Sequence, residues 1–349
     1  MLRIAVVGAT GAVGHECLRL IDRGAAAPTD RVYPVASPAS AGRDLRAEWG
    51  LAVAIDPVTT MDRLDLAALD VAIFCAGAAV SRQHVERVAA AGVLVVDNSS
   101  AFRMRPDVPL VVPQVNPHVL ERRPAAGIVA NPNCSTIQLV RALHPLHLLA
   151  GLEQAIVATY QAASGGGRRG LAELAADSAR VLSDPGGPIE AAGRFGQPLA
   201  FNLVPQIGPA DGAGISHEER KLAWEPRKIL ELPELRVSAT AVRVPVSHCH
   251  SEAAYVRLRT PVSALLVENA LAVTPGIRLH RGHDDPPYPM PRLVVGDEDR
   301  ALVHVGRVRG DPADACAVWL WIVADNLWVG AALNALEIVE LAVKYGWLG

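Results

Sequence analysis

The sequence predicts an α/β protein, with a doubly wound parallel sheet at the N-terminus and a second, mixed α+β domain after it. Three observations carry that expectation. The chain opens on a near-continuous apolar run, Leu2-Arg3-Ile4-Ala5-Val6-Val7, which leads into Gly8-Ala9-Thr10-Gly11-Ala12-Val13-Gly14. Apolar runs then recur with helical patterns between them, as a parallel sheet buried on both faces requires. Beyond residue 134 the texture changes to strand-rich segments separated by long Gly/Pro-rich connections such as 183–200 and 206–216. At 349 residues the chain is long for one hydrophobic core, so two domains are expected.

Taken in order, the first strand, its glycine turn and an apolar helix through Leu20 or Ile21 form the arrangement a dinucleotide pyrophosphate needs. Glycines let the backbone approach the phosphates, and the helix N-terminus supplies amide donors. The spacing is GxxGxxG, and Gly8, Thr10, Gly11, Ala12 and Val13 are its cofactor-binding candidates. Strand-like runs follow at 32–36, 71–75 and 93–97, with helical stretches near 62–69 and 80–91. This is the pattern of a Rossmann-like sheet. Its loops at 37–43, 76–78 and 98–100 lie at the carboxyl edge, where such folds bind ligands; Ser37 and Ser40 are therefore cofactor-binding candidates.

Ala130-Asn131-Pro132-Asn133-Cys134-Ser135-Thr136-Ile137-Gln138-Leu139 reads as a tight turn that hands a cysteine to the start of a helix. Proline keeps the residue before it out of the helical region. Asn133 is a fitting N-cap, and Ile137, Leu139, Val140 and Leu143 continue as a largely buried helix. Cys134 then sits in the first turn, where unpaired amides and the helix dipole favour a thiolate and can hold an oxyanion. The same position also suits a small buried hydrophobe.

In the second domain, strands are expected at 155–160, 236–246, 253–259, 303–309 and 316–324, and a final helix from Asp325 to about Val343. Such a sheet is large enough to form a subunit interface. Half the residues are hydrophobic and a fifth charged, and the net charge is −3. That balance gives no electrostatic reason to expect nucleic acid or an anionic membrane. The five cysteines are odd in number, scattered and without CxxC, which speaks against a disulfide framework. The most apolar late segment, 315–324, is too short to span a bilayer, and the expected location is the cytoplasm.

Ile128-Val129-Ala130-Asn131-Pro132-Asn133-Cys134-Ser135-Thr136 resembles the active-site segment of aspartate-semialdehyde dehydrogenases. The resemblance extends along nearly the whole chain. It implies a nucleotide-binding domain at 1–132 completed by 325–349, and a catalytic and dimerisation domain at 133–324. By the same resemblance Cys134 is the nucleophile, with Asn133 beside it in the substrate site. Gln161, in Thr159-Tyr160-Gln161-Ala162-Ala163-Ser164-Gly165, positions the substrate, and Ser164 and Gly165 meet the nicotinamide side together with Asn326. In Arg243-Val244-Pro245-Val246-Ser247-His248-Cys249-His250-Ser251-Glu252, Arg243 suits a substrate carboxylate and His250 is the acid/base. His248 and His250 would share a face of a strand, but no other ligand set accompanies them and no metal is expected. Glu218 is implied to bind the substrate amine, Lys221 phosphate or substrate, and Arg103 phosphate; a plain i,i+3 ion pair is the other reading of Glu218 and Lys221.

The implied reaction is NAD(P)H-dependent reduction of 4-aspartyl phosphate to aspartate 4-semialdehyde through a cysteine thioester, in amino-acid biosynthesis from aspartate. A reductase of N-acetyl-glutamyl phosphate and a catalytically silent binding protein are the alternatives. The expected cofactor is NADP, with its preference over NAD weakened. The arginine that such enzymes carry two places after the serine of the 37–43 loop is here Ala39, and Arg43 is the nearest basic substitute. The expected partners are the small substrate and phosphate, and a second copy of the chain in a homodimer or homotetramer.

Overall fold

The opening apolar run forms β1 (Leu2–Val7), an inner strand of a five-stranded sheet. A computed structural model describes residues 1–187 and 193–348. It divides the chain into one unit of Met1–Asn133 with Gly330–Gly349 and another of Cys134–Val329.

In the first unit β1 is followed by α1 (Ala12–Asp22), β2 (Thr29–Val35), α2 (Leu45–Trp49), β3 (Val71–Phe74), α3 (Ala78–Ala90), β4 (Leu94–Asp97) and β5 (Ile128–Ala130). The strands lie in the order β2-β1-β3-β4-β5, and every pairing is parallel. All residues of β3, β4 and β5 are buried, which is why they read as unbroken apolar runs. The order reverses at β1, between β2 and β3, so the carboxyl ends of β1 and β3 mark the crevice where ligands bind in such sheets.

The stretch 62–69 is not the helix its pattern suggested. Only Leu66–Ala68 is helical, as a 3₁₀ segment. The Asp65 carboxylate accepts from the Ala67 N–H at 3.1 Å, a local bond that competes with helix propagation, and only Leu69 of this stretch is buried.

The second unit begins with α4 (Cys134–Ala150) and β6 (Leu152–Gln161). It continues through α5 (Gly167–Ser183), α6 (His217–Ile229), β7 (Arg236–Arg243), β8 (His250–Leu258), α7 (Ala264–Ala272), β9 (Ile277–His280), α8 (Asp297–Arg300), β10 (Val303–Gly310) and β11 (Ala317–Ala324). The sheet order is β7-β6-β8-β11-β10-β9, with β6/β7 and β9/β10 parallel and the rest antiparallel. α4 packs against β6, β8, β10 and β11 and against α6 and α7, and its residues from Ser135 to Leu143 are all buried. It is the spine of this unit.

The sequence pattern missed α5, α7, α8 and β9. α5 starts inside the expected glycine turn, and β9 is a short edge strand with only partial burial. The expected 183–200 connection falls partly outside the described residues. The final helix starts later than expected. The Asp325 carboxylate accepts from the Leu327 and Trp328 amides, a π-type turn spans Trp328–Ala332, and α9 proper is Leu333–Lys344. α9 packs on α1 and β4 within the first unit. Among the described residues no helix is long and apolar enough to cross a membrane.

Candidate active site

Strand register in the second unit collects the polar side chains on one face of its sheet. Gln161 pairs with Arg243 across β6 and β7, and Thr159 stands opposite Glu252 across β6 and β8. His250 opens β8 two residues before Glu252, so both point to that same face. α4 covers it. The Gln161 Nε2 amide donates to Ser135 Oγ at 2.8 Å and to Glu218 Oε1 at 3.2 Å. Ser135 adjoins Cys134, the half-exposed first residue of α4, and buried Asn133 precedes it.

Glu218 is held from the other side by Lys221, whose Nζ donates to Oε2 at 2.8 Å. The ion pair of the plainer reading is therefore present, and its carboxylate also faces Gln161. α6 is fixed by a capping box in which Ser216 Oγ accepts from the Glu219 N–H and the Glu219 carboxylate accepts from the Ser216 N–H.

The Arg243 Nη1 donates to the Ala162 carbonyl at 2.6 Å. Burial pushes this guanidinium's pKa down, and the charges of Glu218 and Cys134 oppose that shift. A Cβ at Gly165 would come within 2.7 Å of Arg243 Nη1 and 3.4 Å of His250 Cε1, so only glycine leaves room for both side chains there.

His250 is fully buried, and burial together with the Arg243 charge pushes its pKa down to about 3 against an opposing pull from Glu218. Its Nδ1 accepts the Ala162 N–H at 3.0 Å. The proton of the neutral ring therefore sits on Nε2, which has no partner among the described residues. The expectation that His248 and His250 share a strand face is corrected here. Cys249 takes a left-handed φ of 70° and β8 begins only at His250, so the alternation does not reach His248, which is exposed. The Cys249 N–H donates to Asn326 Oδ1 at 3.1 Å, and so does Ser164 Oγ at 3.0 Å. Ser164 and Asn326 are thus brought together, both buried.

The first unit carries the nucleotide loop. Gly8 has a φ of 87°, and a Cβ there would land 2.8 Å from the Cys75 carbonyl carbon; one at Gly14 would land 2.3 Å from Gly8 O. Gly11 precedes α1 and brings no side chain to its amides, while Thr10, Ala12 and Val13 line the turn half-exposed. Such a cradle of close backbone and open amides fits a pyrophosphate. Ser37 caps and Ser40 ends the short 3₁₀ turn Pro38–Ser40 after β2, and Ala39 lies exposed within it. Arg43 is not idle: its guanidinium bonds both carboxylate oxygens of Glu48.

Arg103 is buried, with Nε donating to the Asn131 carbonyl at 2.9 Å and Nη2 to the Asn98 carbonyl at 2.8 Å. The Asn131 side chain donates to Asn98 Oδ1 at 2.8 Å and accepts from Asn334 Nδ2 at 2.6 Å.

Residues 3–123 match the family described as the semialdehyde dehydrogenase NAD binding domain, and residues 143–329 match the semialdehyde dehydrogenase dimerisation domain. An aspartate-semialdehyde dehydrogenase of Synechocystis sp. is 40% identical over 347 residues, 99% of each chain. The chain belongs to the aspartate-semialdehyde dehydrogenase family. A crystal structure of aspartate semialdehyde dehydrogenase II of Vibrio cholerae, complexed with ASA, superposes with a TM-score of 0.91 at 39% identity, covering 99% of this chain and 98% of that one. The Candida albicans aspartate semialdehyde dehydrogenase solved with NADP gives 0.76 at 27% identity over the full length of both chains. As a member of this family the chain has an α/β fold with an NAD(P)-binding domain.

Four groups at these sites escaped the sequence reading. Asn131 was seen only as a turn former, and Asn334, Gln138 and the Ala162 amide were not singled out. A polar side chain inside an apolar helix, such as Gln138 or Asn334, was the available signal. A backbone amide gives none.

Proposed function

We propose that this chain reduces 4-aspartyl phosphate to aspartate 4-semialdehyde, using a cysteine thioester and a nicotinamide cofactor. The observation that carries this reading is the set Gln161, Glu218, Arg243 and His250 gathered on one sheet face at the N-terminus of the helix that starts with Cys134. Cys134 Sγ attacks the acyl carbon and phosphate leaves, which forms the thioester. The bound nicotinamide supplies a hydride. His250 Nε2–H donates to the acyl oxygen where negative charge grows, and collapse of the tetrahedral species returns the thiolate. Hydride in and thiolate out balance without moving the ring's proton, so a neutral imidazole suffices for that step. Arg243 offers its fork to the substrate carboxylate, and Glu218 meets the free amine. N-acetyl-glutamyl phosphate has no such amine, which disfavours it here.

The testing experiment is phosphate-dependent reduction of NADP or NAD by purified protein with aspartate semialdehyde. No turnover with either cofactor rejects the reading.

On cofactor choice we propose NADP, with a reduced preference over NAD. The 2′-phosphate needs a positive partner or several donors. Ala39 supplies none, and Arg43 is engaged by Glu48. The loss amounts to about 1–3 kcal/mol, one charge-assisted hydrogen bond. Ala39→Arg should raise kcat/KM for NADP and leave NAD nearly unchanged. A wild-type preference for NADP above about a thousandfold, ~4 kcal/mol, would show that other residues hold the phosphate.

We propose a homodimer as well. The sheet face opposite α4 carries Ile156, Tyr160, Tyr255, Trp319 and Trp321, with Tyr255 and Trp319 packed edge-on at 5.3 Å. Ile156 is 47% exposed, and aromatic side chains around such a position favour burial against a second copy. Light scattering should give at least twice 36.9 kDa; a monomer rejects the assembly.

A further inference from the structure

Asp325, buried directly after β11, holds the turn that follows that strand. Its Oδ1 accepts the Leu327 N–H at 2.8 Å and the Trp328 N–H at 3.1 Å, and its Oδ2 accepts Arg300 Nε at 2.6 Å. The Arg300 guanidinium, at the end of α8, also lies 4.1 Å from the centre of the Trp328 ring. A carboxylate that bonds the amides two and three residues on fixes the backbone it encloses. The enclosed residue is Asn326.

Asn326 is buried, and its side-chain oxygen accepts twice. Oδ1 takes the Cys249 N–H at 3.1 Å and Ser164 Oγ at 3.0 Å. A backbone N–H can only donate, so the first bond fixes which end of the amide is oxygen. The two donors come from separate segments, the turn after β6 and the turn before β8. Two backbone bonds already join those segments, Ala163 N–H to the Val246 carbonyl at 2.7 Å and Ser164 N–H to the Ser247 carbonyl at 3.0 Å. They stop at Ser247. Asn326 carries the join on to Cys249, whose left-handed φ of 70° is uncommon for a residue with a side chain. His250 comes next, and across the same join its Nδ1 accepts the Ala162 N–H at 3.0 Å. All of these residues lie in the second unit.

We propose that Asp325 is a positioning residue of the reaction, acting on His250 through Asn326. Its Oδ1 bonds set the turn, and the turn aims the Asn326 oxygen at Ser164 and Cys249. That tie keeps the Ala162 amide on His250 Nδ1. With Nδ1 occupied, the ring's proton stays on Nε2, where the proposed reaction uses it. Without the tie, the buried neutral ring is free to carry its proton on Nδ1. Nε2 would then present a lone pair to the negative charge growing on the acyl oxygen. Arg300 has a different task, to neutralise a carboxylate removed from water. The ion pair therefore serves stability, and the two amide bonds serve position.

Two substitutions separate those tasks. Asp325→Asn keeps an oxygen for the Leu327 and Trp328 amides and loses the charge that Arg300 meets. Its melting temperature should fall, while kcat stays within about threefold of the wild type. Asp325→Ala removes both and should lower kcat about 10–100-fold, with KM for aspartate semialdehyde within about twofold. Ring nitrogen NMR shifts report the tautomer itself, and the signal missing from His250→Gln assigns the ring. In the wild type and in Asp325→Asn, His250 should show a protonated Nε2 and a bare Nδ1; in Asp325→Ala it should show a mixture of tautomers. Should Asp325→Ala fail to fold, Asn326→Leu removes the accepting oxygen with Asp325 intact and should give the same mixture.

The kcat arm rests on the proposed reaction; the tautomer and melting arms need no substrate. A wild type unable to turn over aspartate semialdehyde would overturn the proposed function and leave the ring shifts to decide on Asp325. An unchanged tautomer in Asp325→Ala or in Asn326→Leu would overturn the positioning role. An Asp325→Asn protein that loses kcat and the Nε2 proton along with stability would assign the effect to the ion pair and overturn it as well.

Discussion

Cys134→Ser should abolish turnover with the fold and cofactor binding intact. The serine hydroxyl is scarcely ionised near neutral pH and is a poor leaving group when the tetrahedral species must collapse, so both halves of the reaction fail. Iodoacetamide should modify Cys134 ahead of the other four thiols, and the surroundings of three of them show why. Cys17 and Cys249 are buried. Contact with Cys17 and burial push the Cys75 thiol well up, and burial with the Asp325 charge does the same to Cys249. Cys134 instead begins a helix next to the Arg243 charge. Steady-state assay and peptide mapping check both points. A serine variant that retains about a tenth of the wild-type rate would remove Cys134 from the nucleophile's role.

His250→Ala should lower kcat by about 10²–10⁴-fold with little effect on cofactor affinity, and His248→Ala should do much less. The exposed His248 lies outside the cluster, whereas His250 Nε2 is buried within it and has no partner among the described residues. Because the Ala162 amide occupies Nδ1, the ring acts as a neutral Nε2–H donor, and His250→Gln should retain more activity than His250→Ala.

The stability consequence has a definite sign. The folded pKa, about 3, lies below the unfolded value near 6.5, so this contribution is complete above pH 6.5 and is lost as pH falls toward 3. The slope is at most about 1.4 kcal/mol per pH unit. His250→Gln should remove that acid sensitivity, as pH-dependent denaturant melts would show. A ring that titrates near pH 6.5 in the folded protein, or equal losses at His248 and His250, would overturn this assignment.

Much of this was legible in one dimension, because it depends on neighbours along the chain. The apolar runs at 2–7, 71–75 and 93–97 read as parallel strands, since a half-solvated strand shows polar alternation. Gly8, Gly11 and Gly14 announced a backbone that approaches others closely, and the structure shows what each extra carbon would strike. Asn131-Pro132 before an apolar run announced a helix start, and α4 begins at Cys134. The false helix at 62–69 shows the limit of such reading: periodicity without burial does not hold a short helix against a local Asp65 bond.

Sequence by itself determined the fold class, the glycine-rich loop after the first strand and the place of Cys134 at the start of a helix. Tertiary structure alone decided who faces whom. Register put Gln161 beside Arg243 and Thr159 across from Glu252, and the turn at Cys249 separated His250 from His248. The Ala162 amide chose the tautomer of His250, and burial pushed the Glu252 carboxyl well above the usual carboxylate range. These are properties of pairs drawn from distant parts of the chain, and of the water removed from between them. Neither is written in the identity or spacing of any single segment, because hydrogen-bond direction and desolvation exist only once the strands and α4 have closed over the site.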